Sequence, residues 1–335
     1  MYENVIVTGG LGFIGSNYIL HAIKNSELGR ITNIDSLSYG SNPDNLREVE
    51  SVPAYKLVKA DLADSPIIMS EVANADVVVH FAAESHVDRS ISDPRRFLQS
   101  NVVGTFNLLE AARHGEVCKF IHISTDEVYG SAPSDESFLE SSPLNPSSPY
   151  SASKAAAEML VLAYHKTYGL PIVILRCTNN FGPRQFPEKL VPKTIIRALL
   201  GLRIPVYGSG QQIRDWIHVN DFCKAIDLAL ERGVNGNIYN VSAKNEISNL
   251  EIVTRILNIL GKSSNLIESV DDRPGHDFRY SLNSDRITKD LGWKPESTLS
   301  TALKNTVEWY VKNENWWKPL LNEKIISPTP WKEKW

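Results

Sequence analysis

At 335 residues the chain is long enough to bury a large core and to divide into two lobes. With 42% apolar and 22% charged residues and a net charge of -4, it lacks the basic surplus of an electrostatically driven nucleic-acid binder, although local basic pockets are still allowed. Cys118, Cys177 and Cys223 are widely spaced and form no C-x-x-C pair, so neither a disulfide framework nor a zinc site is indicated. NVIVTGG begins almost at the first residue and no apolar run is long enough to span a membrane, so a cytoplasmic protein is expected, with neither membrane nor nucleic acid as a partner.

Asn4 to Thr8 is a short β-branched run, followed by TGGLGFIG with Gly9, Gly12 and Gly15 at three-residue steps. The next segment carries Ile14, Tyr18, Ile19, Ala22 and Ile23 at helical spacing. A strand, glycine turn and helix in that order make a phosphate-binding element. Glycines let the backbone approach a pyrophosphate, and the helix N-terminus offers free N–H groups. ITNID (Ile31 to Asp35) reads as the second strand and ends in an acid about 20 residues after the last glycine. Such an acid accepts hydrogen bonds from a ribose diol and repels a 2′-phosphate. Ser36 follows and no Arg stands beside Asp35, so the expected cofactor is NAD, not NADP.

Strand-like runs recur at Tyr55 to Ala60 and Asp76 to Ala82, with Asp61-Leu62 closing the first, and helical stretches lie between and after them, notably Pro94 to Arg113. This alternation calls for a doubly wound parallel sheet with right-handed crossovers. HFAAESHVDRS leaves its strand through two small residues, as suits a flat cofactor against the backbone. His86 and Asp88 lie two apart, but no further ligand sits at metal-site spacing, so no metal is expected.

KFIHISTDEVYG, Lys119 to Gly130, reads as a buried strand running directly into Thr125, Asp126 and Glu127. Ligands of open α/β sheets sit beyond the carboxyl ends of the strands, which puts this triplet where chemistry happens. After a Ser/Pro-rich loop, Tyr150 and Lys154 open a helix on which they share a face. Another strand, Pro171 to Cys177, ends in Asn179-Asn180-Phe-Gly-Pro. From Pro183 short strands (Ile204 to Tyr207, Trp216 to Val219, Asn237 to Val241) alternate with helices (Asp221 to Arg232, Ser248 to Leu260). All seven tryptophans lie from Trp216 onward, five of them from Trp309 to the end, and this tail is expected to pack back on its own chain. The fold class is therefore α/β, with a Rossmann sheet over residues 1–182 carrying the catalytic residues. Residues 183–335 form a smaller mixed α/β substrate lobe, with some crossing of the chain between the two.

A tyrosine serves as a base only if its pKa falls from about 10 by roughly three units, about 4 kcal/mol. A cation about 4 Å away at an effective dielectric near 20 supplies about 4 kcal/mol, so Lys154 is expected to do most of this, with the positive nicotinamide adding to it. Tyr150 and Thr125 then suffice to oxidise an alcohol. Asp126 and Glu127 are surplus to oxidation. They make sense if one, as carboxylate, removes the acidic proton beside the new carbonyl while the other, kept protonated, protonates a leaving hydroxyl. The alternative is that either acid merely caps a helix or pairs with an arginine.

TGGLGFIG, AAESHVDRS, STDEVYG, YSASK, NNFGP, FPEKL, QIRDW and DRPGHD together resemble the dTDP-glucose 4,6-dehydratases, of the extended short-chain dehydrogenase/reductase superfamily, from Val5 to about Tyr310. TGxxGxxG and YxxxK are superfamily-wide; the Thr-Asp-Glu triplet with DRPGHD is far more specific. The resemblance implies that Tyr150 with Thr125 assists oxidation of the glucose C4 hydroxyl, that Glu127 takes the C5 proton and that Asp126 protonates the departing C6 hydroxyl. Hydride then returns to C6, so NAD is regenerated in each turnover. It implies cofactor contacts at Phe13, Ile14, Asp35, Ser36, Leu37, Ser38, Asp61, Leu62, Phe81, Ala82, Ala83, Glu84, Ser85, Ser100 and Asn180. It also implies nucleotide-sugar contacts at Ser85, Thr125, Asn179, Lys189, Leu190, Pro205, Val206, Tyr207, Arg214, Asn249, Asp272, Arg273, Pro274, Gly275 and His276. Arg214 and Arg273 suit a diphosphate on physical grounds too, because a guanidinium fork matches phosphate oxygens. Phe181 stands where the family usually has Tyr, and Arg184-Gln185 where it has a different pair.

The family's homodimer implies pairing through Pro94 to Arg113 and Tyr150 to Tyr168, the first offering Phe97, Phe106 and Leu109. A nucleotide-sugar 4-epimerase or decarboxylase on the same scaffold is the nearest rival, but it gives no reason for adjacent Asp and Glu. A catalytically silent NAD-binding regulatory protein has no need of Tyr150, Lys154 or the acid pair.

Overall fold

The structure, a computed structural model, describes residues 2–25, 28–64, 66–115 and 117–334. Strands β1 (Asn4–Thr8), β2 (Arg30–Asp35), β3 (Tyr55–Lys59), β4 (Val77–His80), β5 (Lys119–Thr125), β6 (Ile172–Cys177) and β10 (Ile238–Val241) pair side by side. Among the described residues they form one sheet in the order β10-β6-β5-β4-β1-β2-β3, every pairing parallel. Alternate residues of β1 feed cores on opposite faces: Val5 and Val7 on one side, Ile6 on the other. The strand order reverses between β1 and β4, and the crevice at that switch point is where such sheets take ligands.

The chain crosses between lobes in both directions. β7 (Asn179–Phe181), inside the expected first lobe, pairs with β9 (Ile213–His218), which in turn pairs antiparallel with β11 (Glu246–Ser248). Conversely, β10, read from the sequence as part of the smaller lobe, is an edge strand of the large sheet, and the Val219–Arg232 helix packs against that sheet. Phe222, Ala225, Ile226 and Ala229 of that helix are buried in the β1-side core, and such an apolar face must cover a sheet. β8 (Ile204–Tyr207) and β12 (Ile267–Val270) form a separate parallel pair.

The expected Pro94 to Arg113 helix is one helical run to His114 with a π turn over Leu98–Val103. The π turn brings Asn101 against the loop after β4, where its side chain accepts from Glu84 N at 2.8 Å and donates to Glu84 O at 3.0 Å. Phe97 and Leu109 are core residues of this chain, whereas Phe106 is exposed. The tryptophan-rich tail does pack back: Trp317 is buried and Trp316 Nε1 donates to Asn45 Oδ1 at 2.9 Å. No helix of the described residues is long and apolar enough to cross a membrane.

Candidate active site

Two adjoining cavities open along the carboxyl edge of the sheet. The first, of about 280 Å³, runs from the glycine turn to the end of β5. Gly9 has φ +68°, and a Cβ there would lie 2.7 Å from the Ala82 backbone. A Cβ on Gly15 would meet Gly9 O at 2.5 Å, whereas one on Gly12 would meet only Gly9 O, at 3.2 Å. Gly9 and Gly15 thus let the turn close, and Gly12 leaves its backbone open in front of the Phe13–Asn25 helix. That is the cradle a pyrophosphate requires. Asp35 ends β2 with both carboxylate oxygens engaged: Oδ2 accepts from Leu11 N at 2.9 Å, and Oδ1 accepts from Leu37 N and the Ser41 hydroxyl. An oxygen takes two donors, so Oδ2 retains one lone pair for a ribose hydroxyl. The residues present fit a dinucleotide.

Of the expected cofactor contacts, Gly9, Gly12 to Gly15, Asp35, Ser36, Ser38, Asp61, Leu62, Phe81 to Ser85, Ser100, Tyr150, Lys154 and Asn180 all line this cavity. Leu37 does not. At φ +53° its side chain turns toward solvent while its N–H is spent on Asp35.

The second cavity, of about 160 Å³, is walled by Leu190, Pro205, Val206, Tyr207, Arg214, Asn249, Arg273 and His276, as expected for the nucleotide sugar. Ser85, Asn179, Lys189 and Glu127 line both cavities, so Glu127 stands at their junction. Thr125 lies on the first side only. Asp272, Pro274 and Gly275 line neither. Asp272 acts one step back, accepting from Gln212 Nε2 at 2.8 Å and holding His276 Nδ1 at 2.6 Å. Gly275 turns the chain at φ +64°, where a Cβ would strike Ser147 O at 2.7 Å. Phe181 is sealed in the core against Trp216 and His218, while Gln185 does reach the first cavity.

Thr125 caps the short turn after β5, accepting from Glu127 N at 3.3 Å and donating to Asp126 Oδ1 at 3.1 Å. Asp126 is 3% exposed, and its Oδ2 has no hydrogen-bond partner among the described residues. Burial first, then the neighbouring Glu127 charge, push the Asp126 carboxyl well above its ordinary range. Burial raises Glu127 as well, but Arg273, Arg214 and Lys189 oppose it. Glu127 is therefore the acid of the pair more readily ionised. Among the described residues the arginines nearest the pair are otherwise engaged, Arg273 with Asp88 and Arg214 with backbone carbonyls.

Tyr150 is buried, 8% exposed. Its phenol is held well above the ordinary value, first by burial and then by the charge of Glu127, with only a hydrogen bond to Thr125 pulling it down. Lys154 directs its ammonium at Ile123 O, 2.7 Å away, and burial lowers its own pKa to about 8. In the protein alone, desolvation is the largest influence on the Tyr150 phenol.

Several cavity residues are not among the expected contacts, Tyr280 and Glu188 among them. Tyr280 places its hydroxyl 3.4 Å from Glu127 Oε2 and donates to Asp277 Oδ2 at 2.8 Å, with the Arg214 guanidinium 4.1 Å above its ring. It lies just past DRPGHD, so its place beyond a cavity motif was the available signal. Glu188 lines both cavities, accepts from the Tyr39 hydroxyl and lies 3.7 Å from His86 Nδ1. It sits inside FPEKL, next to Lys189. Lys189 itself donates to Ser85 O at 2.7 Å, joining the two loops.

A family model described as GDP-mannose 4,6 dehydratase matches residues 6–306. A dTDP-glucose 4,6-dehydratase of Streptomyces niveus is 44% identical over 330 residues, covering 97% of this chain and 98% of that protein. A solved dTDP-glucose 4,6-dehydratase of Streptomyces venezuelae, with NAD and dTDP bound, superposes at a TM-score of 0.93 and 42% identity, over 95% of this chain and all of the other. A UDP-glucuronic acid 4-epimerase of Bacillus cereus shares the fold at a TM-score of 0.87 but only 29% identity, over 92% of this chain and 99% of its own. With the acid pair in place at the end of β5 and the glycine cradle beside it, the chain belongs to the nucleotide-sugar 4,6-dehydratase family.

Proposed function

We propose that the protein converts dTDP-glucose to dTDP-4-keto-6-deoxy-glucose, oxidising C4, eliminating water across C5–C6 and reducing C6. One observation carries this reading: two carboxyls, Asp126 and Glu127, stand side by side at the end of β5, at and beside the junction of the two cavities. Epimerisation has no use for them. NAD held in the first cavity by the Gly9–Gly15 turn and Asp35 would supply a reversible hydride acceptor.

The chain's own residues supply the rest. Tyr150 and Thr125 hold the C4 hydroxyl, and the phenolate form of Tyr150 takes its proton once positive charge is brought beside it. Glu127, the more readily ionised acid, removes the C5 proton that the new carbonyl has acidified. Asp126, kept protonated by burial, delivers its proton to the departing C6 hydroxyl. Arg214, Arg273 and Lys189 face the diphosphate, and Pro205, Val206 and Tyr207 wall the end of the cavity that takes the base.

The same reading gives residues 1–182 the cofactor and the chemistry and residues 183–335 most of the nucleotide sugar. It includes a homodimer in the cytoplasm. Support for the dimer comes from Leu98, Phe106, Met159 and Tyr168, large apolar residues left exposed on the two helical runs expected to pair. Incubation with dTDP-glucose tests the function by product mass. Loss of one water supports it; unchanged mass with inverted C4 makes the protein an epimerase; no reaction refutes it.

A further inference from the structure

The last segment of the chain, rich in tryptophan and outside every motif, lies against the outer side of the second cavity. Its Pro330–Lys332 turn packs on the Val87–Ser92 helix, which carries Asp88. Trp331, 8% exposed, meets the Tyr207 ring edge to face, with centroids 4.6 Å apart and planes at 76°. Tyr207 forms the cavity wall and donates its hydroxyl to Asp88 Oδ2 at 2.9 Å, while Arg273 Nη1 donates to Asp88 Oδ1 at 2.7 Å. One carboxylate thus fixes both the tyrosine and the arginine that face the ligand. Two further tail contacts reach the same wall: Lys193 Nζ donates to Ser327 O at 3.3 Å, and Lys332 pairs with Asp271, two residues before Arg273.

From this arrangement we infer that Trp331 is a positioning residue for nucleotide binding, holding Tyr207 so that Asp88 can present Arg273 to the ligand. The inference rests on the nucleotide-sugar reading above. Trp331 does not line the cavity, so its removal acts on binding and leaves the reacting groups in place. Loss of an edge-to-face aromatic pair corresponds to a roughly 2- to 10-fold weakening.

The test uses the full chain with Trp331→Ala, Trp331→Leu and Trp331→Phe, titrated calorimetrically with dTDP and UDP and assayed with dTDP-glucose. Leu retains apolar bulk without a ring edge, so it decides the matter if the Ala variant fails to fold. Trp331→Leu should weaken dTDP binding and raise KM by about 3- to 10-fold with kcat changed less than about twofold, and Trp331→Phe should restore both. A folded Trp331→Leu protein with wild-type dTDP affinity and KM overturns the inference alone, as does a fall in kcat with KM unchanged. A wild-type protein that binds neither dTDP nor UDP overturns the proposed function and this inference with it.

Discussion

Replacing Asp126 with asparagine separates the two proton transfers. The substitution keeps the shape of a side chain that is 3% exposed, and an amide can still accept the Thr125 hydroxyl. What it removes is a transferable proton. A positioned general acid contributes about 10²- to 10⁴-fold, so loss of the C6 hydroxyl should slow by that factor, about 3–5 kcal/mol of barrier. Oxidation at C4 depends on Tyr150 and Thr125 and should change by only a few-fold. Quenched single-turnover samples analysed by mass should therefore accumulate an oxidised sugar that still holds its water. The substitution should also act on stability. Because burial and Glu127 raise the folded-state pKa of Asp126, the folded protein binds this proton more tightly than the unfolded chain does. Wild-type stability therefore falls as pH climbs from the ordinary carboxylate range toward the folded value, by about 1.4 kcal/mol for each pH step of one. An amide does not ionise, so Asp126→Asn should give the more stable protein at pH 8, with the margin closing below about pH 4. Normal water loss, or equal slowing of oxidation and water loss, would refute the assignment.

Glu127→Gln should still oxidise C4 but lose solvent-deuterium incorporation at C5, read by NMR of the product; normal incorporation would remove Glu127 as the base. The Glu158–Arg176 ion pair is fully enclosed, with side chains 0% and 2% exposed, and Arg176 Nη2 lies 2.6 Å from Glu158 Oε2. Glu158→Gln strands that guanidinium and should cost about 3–5 kcal/mol in urea unfolding; a loss under about 1 kcal/mol would show that the buried charge finds another partner. With Asp35 holding one lone pair toward the ribose, the protein should retain NAD in preference to NADP, and Asp35→Ala should narrow the gap; an NADP preference in the parent would contradict this reading of β2.

Much of the site was legible because its signals are local. Gly9, Gly12 and Gly15 answer to backbone approach, Asp35 ends a strand at a fixed distance from them, and the β-branched run before Thr125 marks a buried strand end. Tyr280 and Glu188 were not legible in that way. Their roles depend on a hydroxyl 3.4 Å from Glu127 and on a carboxyl shared by two cavities, neither of which has a sequence period. β10 was misplaced because Ile238 to Val241 reads alike in any sheet; only the apolar face of the Val219–Arg232 helix shows which sheet it must cover. Lys154 shows the limit of pairwise electrostatics. The sequence shows its spacing from Tyr150 but not that it is buried with its ammonium on Ile123 O, where desolvation lowers its pKa to about 8.

The central claim is that hydrogen removed from C4 returns to C6 of the same sugar after water has left. Incubation of the enzyme with dTDP-glucose deuterated at C4, followed by NMR and mass analysis of the product, tests it directly. The product should be lighter by one water and carry the deuterium at C6. Deuterium lost to solvent, or a product of unchanged mass with deuterium back at C4, would contradict it.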